Sequence, residues 1–212
     1  KQMGQLHGSN QKISQKLVRV ARTHFQRKRQ VLNGPTLLER STLHNSLLGS
    51  DSVKQAMLDT MRQKNISTQE AKKLAIGYID EIAADYRVGL IRISERILGR
   101  IWNKIYNGIH VGHAYRVREL AQNGHEIIYV PCHRSHMDYL LLTYVIHHEG
   151  LVTPHIAAGI NLNFWPVGKI FRRCGAFFLR RSFAGNKLYT ATFREYLELL
   201  FNRGYSVKYY PE

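Results

Sequence analysis

Residues 126–138 read Glu-Ile-Ile-Tyr-Val-Pro-Cys-His-Arg-Ser-His-Met-Asp, and this stretch decides the fold. Glu126–Pro131 is a continuous apolar run of strand length, closed by a proline that cannot extend a ladder. His133–Asp138 is polar, and Asp138–His147 returns to a helical pattern. A strand passing through a short polar turn into a helix opens a β–α unit. The same alternation continues downstream: Pro154–Ala158 reads as strand, Asn161–Arg172 as helix and Ala176–Leu179 as strand. Asn186–Asn202 is then an amphipathic helix, and Tyr205–Tyr210 a strand ended by Pro211. Strands alternating with helices predict an α/β layer with a mostly parallel sheet. In such sheets the ligand site lies just beyond the carboxyl ends of the strands. Three segments are expected at that edge: Cys132–Asp138, Arg180–Arg181 and Pro211–Glu212.

Upstream the pattern is helical. Ile13, Leu17, Val20 and Phe25 are loosely spaced as on a helix, and Asn33-Gly34-Pro35 breaks that element. A short helix is expected from Ser52 to Gln63. Ser67-Thr68-Gln69-Glu70 is a capping box, in which hydroxyl and carboxylate each satisfy a free backbone N–H. From there Ile79, Ile82, Tyr86, Leu90, Ile93, Ile97, Ile101 and Ile105 recur every three or four residues, a stripe that turns one face inward as far as Asn107-Gly108. A short helix over Tyr115–Gln122 stops at Asn123-Gly124. The expected organisation is a helical region over 1–110, followed over 111–212 by the N-terminal part of an α/β domain.

Composition limits the partners. With 44% hydrophobic and 22% charged residues the chain is ordinary for a folded domain, which excludes wholesale disorder. Cys132 and Cys174 are too few and too far apart for a disulfide framework or a zinc pattern, and suit a reducing compartment. No metal site is expected. A formal charge of +16 calls for an acidic partner: nucleic acid, an anionic membrane, a phosphorylated metabolite or an acidic carrier protein. Residues 1–50 hold nine Lys/Arg against Glu39 alone, so they carry half of that excess. The plain reading of such a run is a solvated face; the alternative is contact with anionic lipid. No helix-turn-helix, zinc-finger or RNP-type signature supports nucleic-acid binding. The longest apolar run, Tyr139–Ile146, is far short of a membrane span, and no apolar segment follows Lys1-Gln2-Met3 to form a signal peptide. Both ends read as cuts in a longer protein.

The chemistry concentrates in His133-x-x-x-x-Asp138. A neutral imidazole can take the proton of an attacking hydroxyl, and a carboxylate can orient it and stabilise the imidazolium. The acceptor alcohol is then the nucleophile. Ser135-x-x-Asp138 also fits a helix-capping pattern, and capping is compatible with catalysis at a helix N-terminus. His136 is expected in a packing or supporting role. Arg180 and Arg181 follow a short apolar strand, where guanidinium groups can grip a phosphate through forked hydrogen bonds; a solvated basic strand end is the simpler reading. Arg172-Arg173 is expected to serve a helix C-terminus.

Taken together, Cys-His-Arg-Ser-His-Met-Asp-Tyr-Leu at 132–140, Gly-Ile-Asn-Leu-Asn-Phe-Trp-Pro from 159, Gly-Ala-Phe-Phe-Leu-Arg-Arg at 175–181 and Gly-Tyr-Ser-Val-Lys-Tyr-Tyr-Pro-Glu at 204–212 resemble the large bacterial membrane-bound glycerol-3-phosphate 1-O-acyltransferases. The resemblance implies an acyltransferase-type α/β domain, truncated at its C-terminus, with His133 and Asp138 as the catalytic pair. It implies that Phe178, Leu179 and Arg181, helped by Arg180, bind glycerol 3-phosphate, and that Glu212 opens a third motif that holds the same substrate. Acyl-CoA or acyl-acyl-carrier-protein would be the co-substrate, with no cofactor, on the cytoplasmic face of the bacterial inner membrane. Dihydroxyacetone-phosphate and lysophosphatidate acyltransferases are the sister alternatives.

Overall fold

The computed structural model describes residues 38–105, 109–132 and 138–211. Eight α-helices and four strands fall within them: α1 (Arg40–Gly49), α2 (Asp51–Lys64), α3 (Thr68–Ile82), α4 (Val88–Ile105), α5 (Ala114–Gln122), β1 (Ile128–Tyr129), α6 (Asp138–His148), β2 (His155–Gly159), α7 (Val167–Arg173), β3 (Ala176–Leu179), α8 (Lys187–Asn202) and β4 (Val207–Lys208), with a 3-10 turn at Ile160–Leu162. The sheet is wholly parallel, in the order β1-β4-β2-β3. Ile128 pairs with Val207, Val207 with His155, and Ile156 with Ala176, so the last strand lies inside the sheet. The expected α/β layer with a parallel sheet, preceded by helices, is the architecture found.

Local signals set many of the boundaries. The Ser67/Glu70 capping box opens α3, with Ser67 Oγ accepting from Glu70 N and the Glu70 carboxylate accepting from Ser67 N. Those hydrogen bonds also hold the Glu70 carboxyl below its usual range. Asn186 caps α8 by accepting from Tyr189 N, and its amide donates to Tyr78 Oη. The chain leaves α2 through Asn65 in the left-handed conformation (φ 50°), which asparagine tolerates better than most residues.

One face of the sheet is closed by α1, α3 and α8. Leu43, Leu47, Ile79, Ile82, Phe177, Tyr189, Tyr196, Leu200 and Val207 form its buried core. Helices α1 and α3, both before residue 110, and the sheet thus share one core. The opposite face carries a smaller cluster of Ala158, Ala176 and Phe178, with α7 and the 3-10 turn against it.

Three expectations need correction. The long isoleucine stripe is two helices, because the chain leaves the helix at Ala83 and re-enters at Val88. No glycine or proline marks that break. It is held from a distance: Asp85 N and Arg87 N donate to the carbonyls of Arg172 and Arg173, and the Arg172 guanidinium donates to the carbonyls of Glu81 and Ala83. Arg172 therefore closes the end of α3 rather than only its own helix. The stripe also does not face inward throughout. Ile79 and Ile82 are fully buried, whereas Ile93, Ile97, Ile101 and Ile105 are 54%, 52%, 37% and 65% exposed. Finally, helix over 161–172 starts only at Val167, after the 3-10 turn. The proposed helix around 13–25 lies outside the described residues. Cys132 is exposed and Cys174 half-buried, and both are free thiols.

Candidate active site

The four strands are parallel, so their carboxyl ends line one edge in the order β1, β4, β2, β3. At about 4.8 Å per strand, the ends of β1 and β3 stand roughly 14 Å apart. The tip of β4 lies between them.

On the β1 side, Asp138 is the first residue of α6, half-buried, at the helix end that favours a negative charge. The Tyr210 hydroxyl, just past β4, donates to the Asp138 carbonyl at 3.1 Å and ties the start of α6 to the neighbouring strand end. His133, Ser135 and His136 lie outside the described residues, as does Glu212.

On the β3 side, four of the five proposed substrate residues fall on one segment with different surroundings. Phe178 is fully buried, with the Arg172 guanidinium 4.8 Å from its ring centre. Leu179, half-buried, packs against the core under α1, α3 and α8. Arg180 is committed: Nε and Nη2 each donate to a carboxylate oxygen of Glu81 at 2.7 Å, and the guanidinium lies 4.7 Å from the Tyr189 ring and 5.3 Å from that of Tyr78. The Glu81 hydrogen bonds raise the Arg180 pKa further. Its backbone N–H donates to Tyr189 Oη. Arg181 is exposed and has no ion pair among the described residues. Side by side in sequence, one arginine anchors the strand end and the next is open to solvent.

Between these segments lies a group that sequence reasoning missed. Strand alternation turns Val207 to the closed face and Lys208 to the other, where it is completely buried and donates to Thr143 Oγ1 of α6 at 2.7 Å. The Tyr210 ring lies 5.5 Å from its ammonium group. Burial pushes the Lys208 pKa down to about 7. No spacing announces it, since a single lysine in a strand run usually reads as an outward-facing edge charge. Glu81 was equally hidden, because it reaches Arg180 from 99 positions away.

An apolar cavity of about 230 Å³ lies on the same side of the sheet, enclosed by α4, α6, α7 and the strands β2 and β3. Its walls include Leu98, Leu140, Thr143, Tyr144, Ile156, Ala158 and Phe171. It begins at Leu140, two residues after Asp138. Among the described residues no three His, Cys, Asp or Glu side chains are placed to hold a metal ion.

A parallel sheet with a His-x4-Asp sequence after its first strand, an exposed arginine after another and an apolar cavity between α6 and strands β2 and β3 suits acyltransferase chemistry, and residues 113–212 match the acyltransferase family model. The whole chain aligns with glycerol-3-phosphate acyltransferases: 76% identity to that of Alteromonas mediterranea, 71% to that of Pseudoalteromonas atlantica and 59% to that of Shewanella denitrificans, each over 99% of this chain. The chain spans 26% of the length of these relatives.

Proposed function

We propose that this chain carries the base and part of the phosphate site of a glycerol-3-phosphate 1-O-acyltransferase. The observation that carries the reading is the placement of Asp138 at the N-terminus of α6, on the ligand edge of a parallel sheet, two residues from the start of an apolar cavity. His133 takes the proton of the sn-1 hydroxyl, and Asp138 orients the imidazole and stabilises its charged form. The hydroxyl oxygen attacks the thioester carbonyl of acyl-CoA or acyl-acyl-carrier-protein. The tetrahedral intermediate expels the thiolate, which regains a proton from the imidazolium, leaving 1-acyl-glycerol 3-phosphate and a free thiol. Arg181 binds the phosphate. Arg180 supports it by fixing the end of β3 through Glu81, and its Nη1, not used in that pair, remains for the ligand. Phe178 and Leu179 act from below by setting the strand's position, and Glu212 contributes to holding the same substrate.

The catalytic domain is proposed to start near residue 111, beside the start of the family match at 113. The site of action is the cytoplasmic face of the inner membrane; among the described residues no helix is long and apolar enough to cross a bilayer. His133→Ala in a full-length protein carrying this chain is expected to lower turnover by ~10²–10⁴ with the fold intact. A folded variant with near-normal turnover would remove His133 from the mechanism.

A further inference from the structure

Helix α4 carries a repeat that the acyl-transfer site does not use. Arg92-Ile93, Arg96-Ile97, Arg100-Ile101 and Lys104-Ile105 recur every four residues, and all eight side chains are exposed. The helix is attached to the protein by its other side, through buried Ile91 and Trp102. Glu95, the single acidic residue of α4, points away from the repeat and pairs with His147 of α6. At 100° per residue the four cations form one stripe and the four isoleucines a second one beside it. The order around the helix is cations, isoleucines, then the residues lining the cavity, with Ile97 in both of the last two groups. Ile97, Leu140 and Ile170 are exposed and also line the cavity, so the cavity opens next to the isoleucine stripe.

The geometry points to α4 as a helix that lies in the surface of an anionic bilayer, with its isoleucines at the acyl boundary, its arginines among the headgroups and the cavity opening on the lipid side. Charge favours lipid as the occupant. Four cations with no acid among them interleave with isoleucines along the whole exposed face, matching a uniformly anionic surface rather than a partner that would have to present acids at the same four-residue spacing. Long cationic side chains beside an apolar stripe suit the boundary between headgroup phosphates and acyl chains. The assignment also moves the contact with lipid from the basic segment 1–50 to a helix within the folded body.

The test is flotation of the 212-residue chain with vesicles of phosphatidylcholine alone or with phosphatidylglycerol added, at low and high salt. Binding is read without acyl transfer, so failure here leaves the proposed reaction standing. The wild-type chain is expected to bind the anionic vesicles, and less so as salt rises. Arg96→Gln/Arg100→Gln should weaken that binding about thirtyfold, while Arg96→Lys/Arg100→Lys retains it. Ile93→Ser/Ile101→Ser should weaken it about tenfold, and still do so at high salt. Circular dichroism should show unchanged helix content, since every substituted side chain is exposed. The proposal is overturned if the wild-type chain ignores anionic vesicles. It is equally overturned if Arg96→Gln/Arg100→Gln and Ile93→Ser/Ile101→Ser bind as the wild type does while Arg27→Gln/Lys28→Gln/Arg29→Gln abolishes binding, which would return the contact to the N-terminal segment. Unchanged binding by every variant overturns it too and leaves α4 to be covered by protein.

Discussion

Phe177 and Phe178 are neighbours in β3 and point to opposite faces of the sheet, which are built to different standards. Under Phe177 the rings of Tyr196 and Phe193 lie at centroid distances of 5.7 and 6.5 Å, and a continuous core runs out through α1, α3 and α8. On the Phe178 side a smaller cluster gives way to a cavity, a buried lysine and a helix with exposed isoleucines. Stability is concentrated on the face without chemistry. That leaves the other face free to keep an apolar cavity and to hold a cation that a well-packed apolar core would exclude.

The largest effect should come from the closed face. Phe177→Ala is expected to cost about 3–5 kcal/mol, because it removes a fully buried ring among side chains that cannot collapse into the gap. Urea denaturation measures this, and a loss below about 1 kcal/mol would break the comparison. Lys208 tests the open face through pH. Its folded pKa, near 7, lies below the ordinary lysine value, so between about pH 7 and 10 the unfolded chain binds more protons and stability rises with pH. Below that window the penalty of burying the charge is fully present. Lys208→Met should flatten this rise, seen as a smaller stability difference between pH 7 and 9.5 than in the wild type. An identical difference in both proteins would mean that Lys208 keeps its proton throughout.

Next in size is Arg181→Ala in a full-length protein carrying this chain. A roughly tenfold or greater rise in the KM for glycerol 3-phosphate is expected, with the thioester KM nearly unchanged, consistent with loss of a charge-assisted phosphate contact. An effect on the thioester alone would move Arg181 to the donor side. The smallest effect belongs to Ile93→Ser, which should change stability by no more than about 0.5 kcal/mol because the side chain already meets solvent. A cost comparable to that of Phe177→Ala would show that the open face is not open.

What the sequence showed and hid follows from range. The capping box at Ser67, the amphipathic helix over 186–202 and the strand at Ala176–Leu179 are set by neighbours within a few positions, and they stand as read. The break at 83–87 is written in α7, whose carbonyls and Arg172 guanidinium hold it, so periodicity ran straight across it. The same periodicity assigned Ile93–Ile105 to the core, although the basic residue before each isoleucine in that run signals an outward face. At the site, His-x4-Asp and the two arginines were legible as motifs; the start of α6 carries Asp138 and the end of β3 leads into the arginines, while His133 lies outside the described residues. Glu81, Tyr210 and Lys208 were not, since each acts across the sheet on a residue far away in sequence.

The interior position of β4 has a consequence in time. Strands β2 and β3 are near neighbours in sequence and can pair as soon as the β3 residues exist, closing a short loop through α7. Among the described strands β1 pairs only with β4, so Ile128 waits for Val207. As the chain leaves a ribosome, β1 would therefore be the last described strand of this layer to be fixed. Until residue 207 emerges β1 would have to be kept from pairing elsewhere.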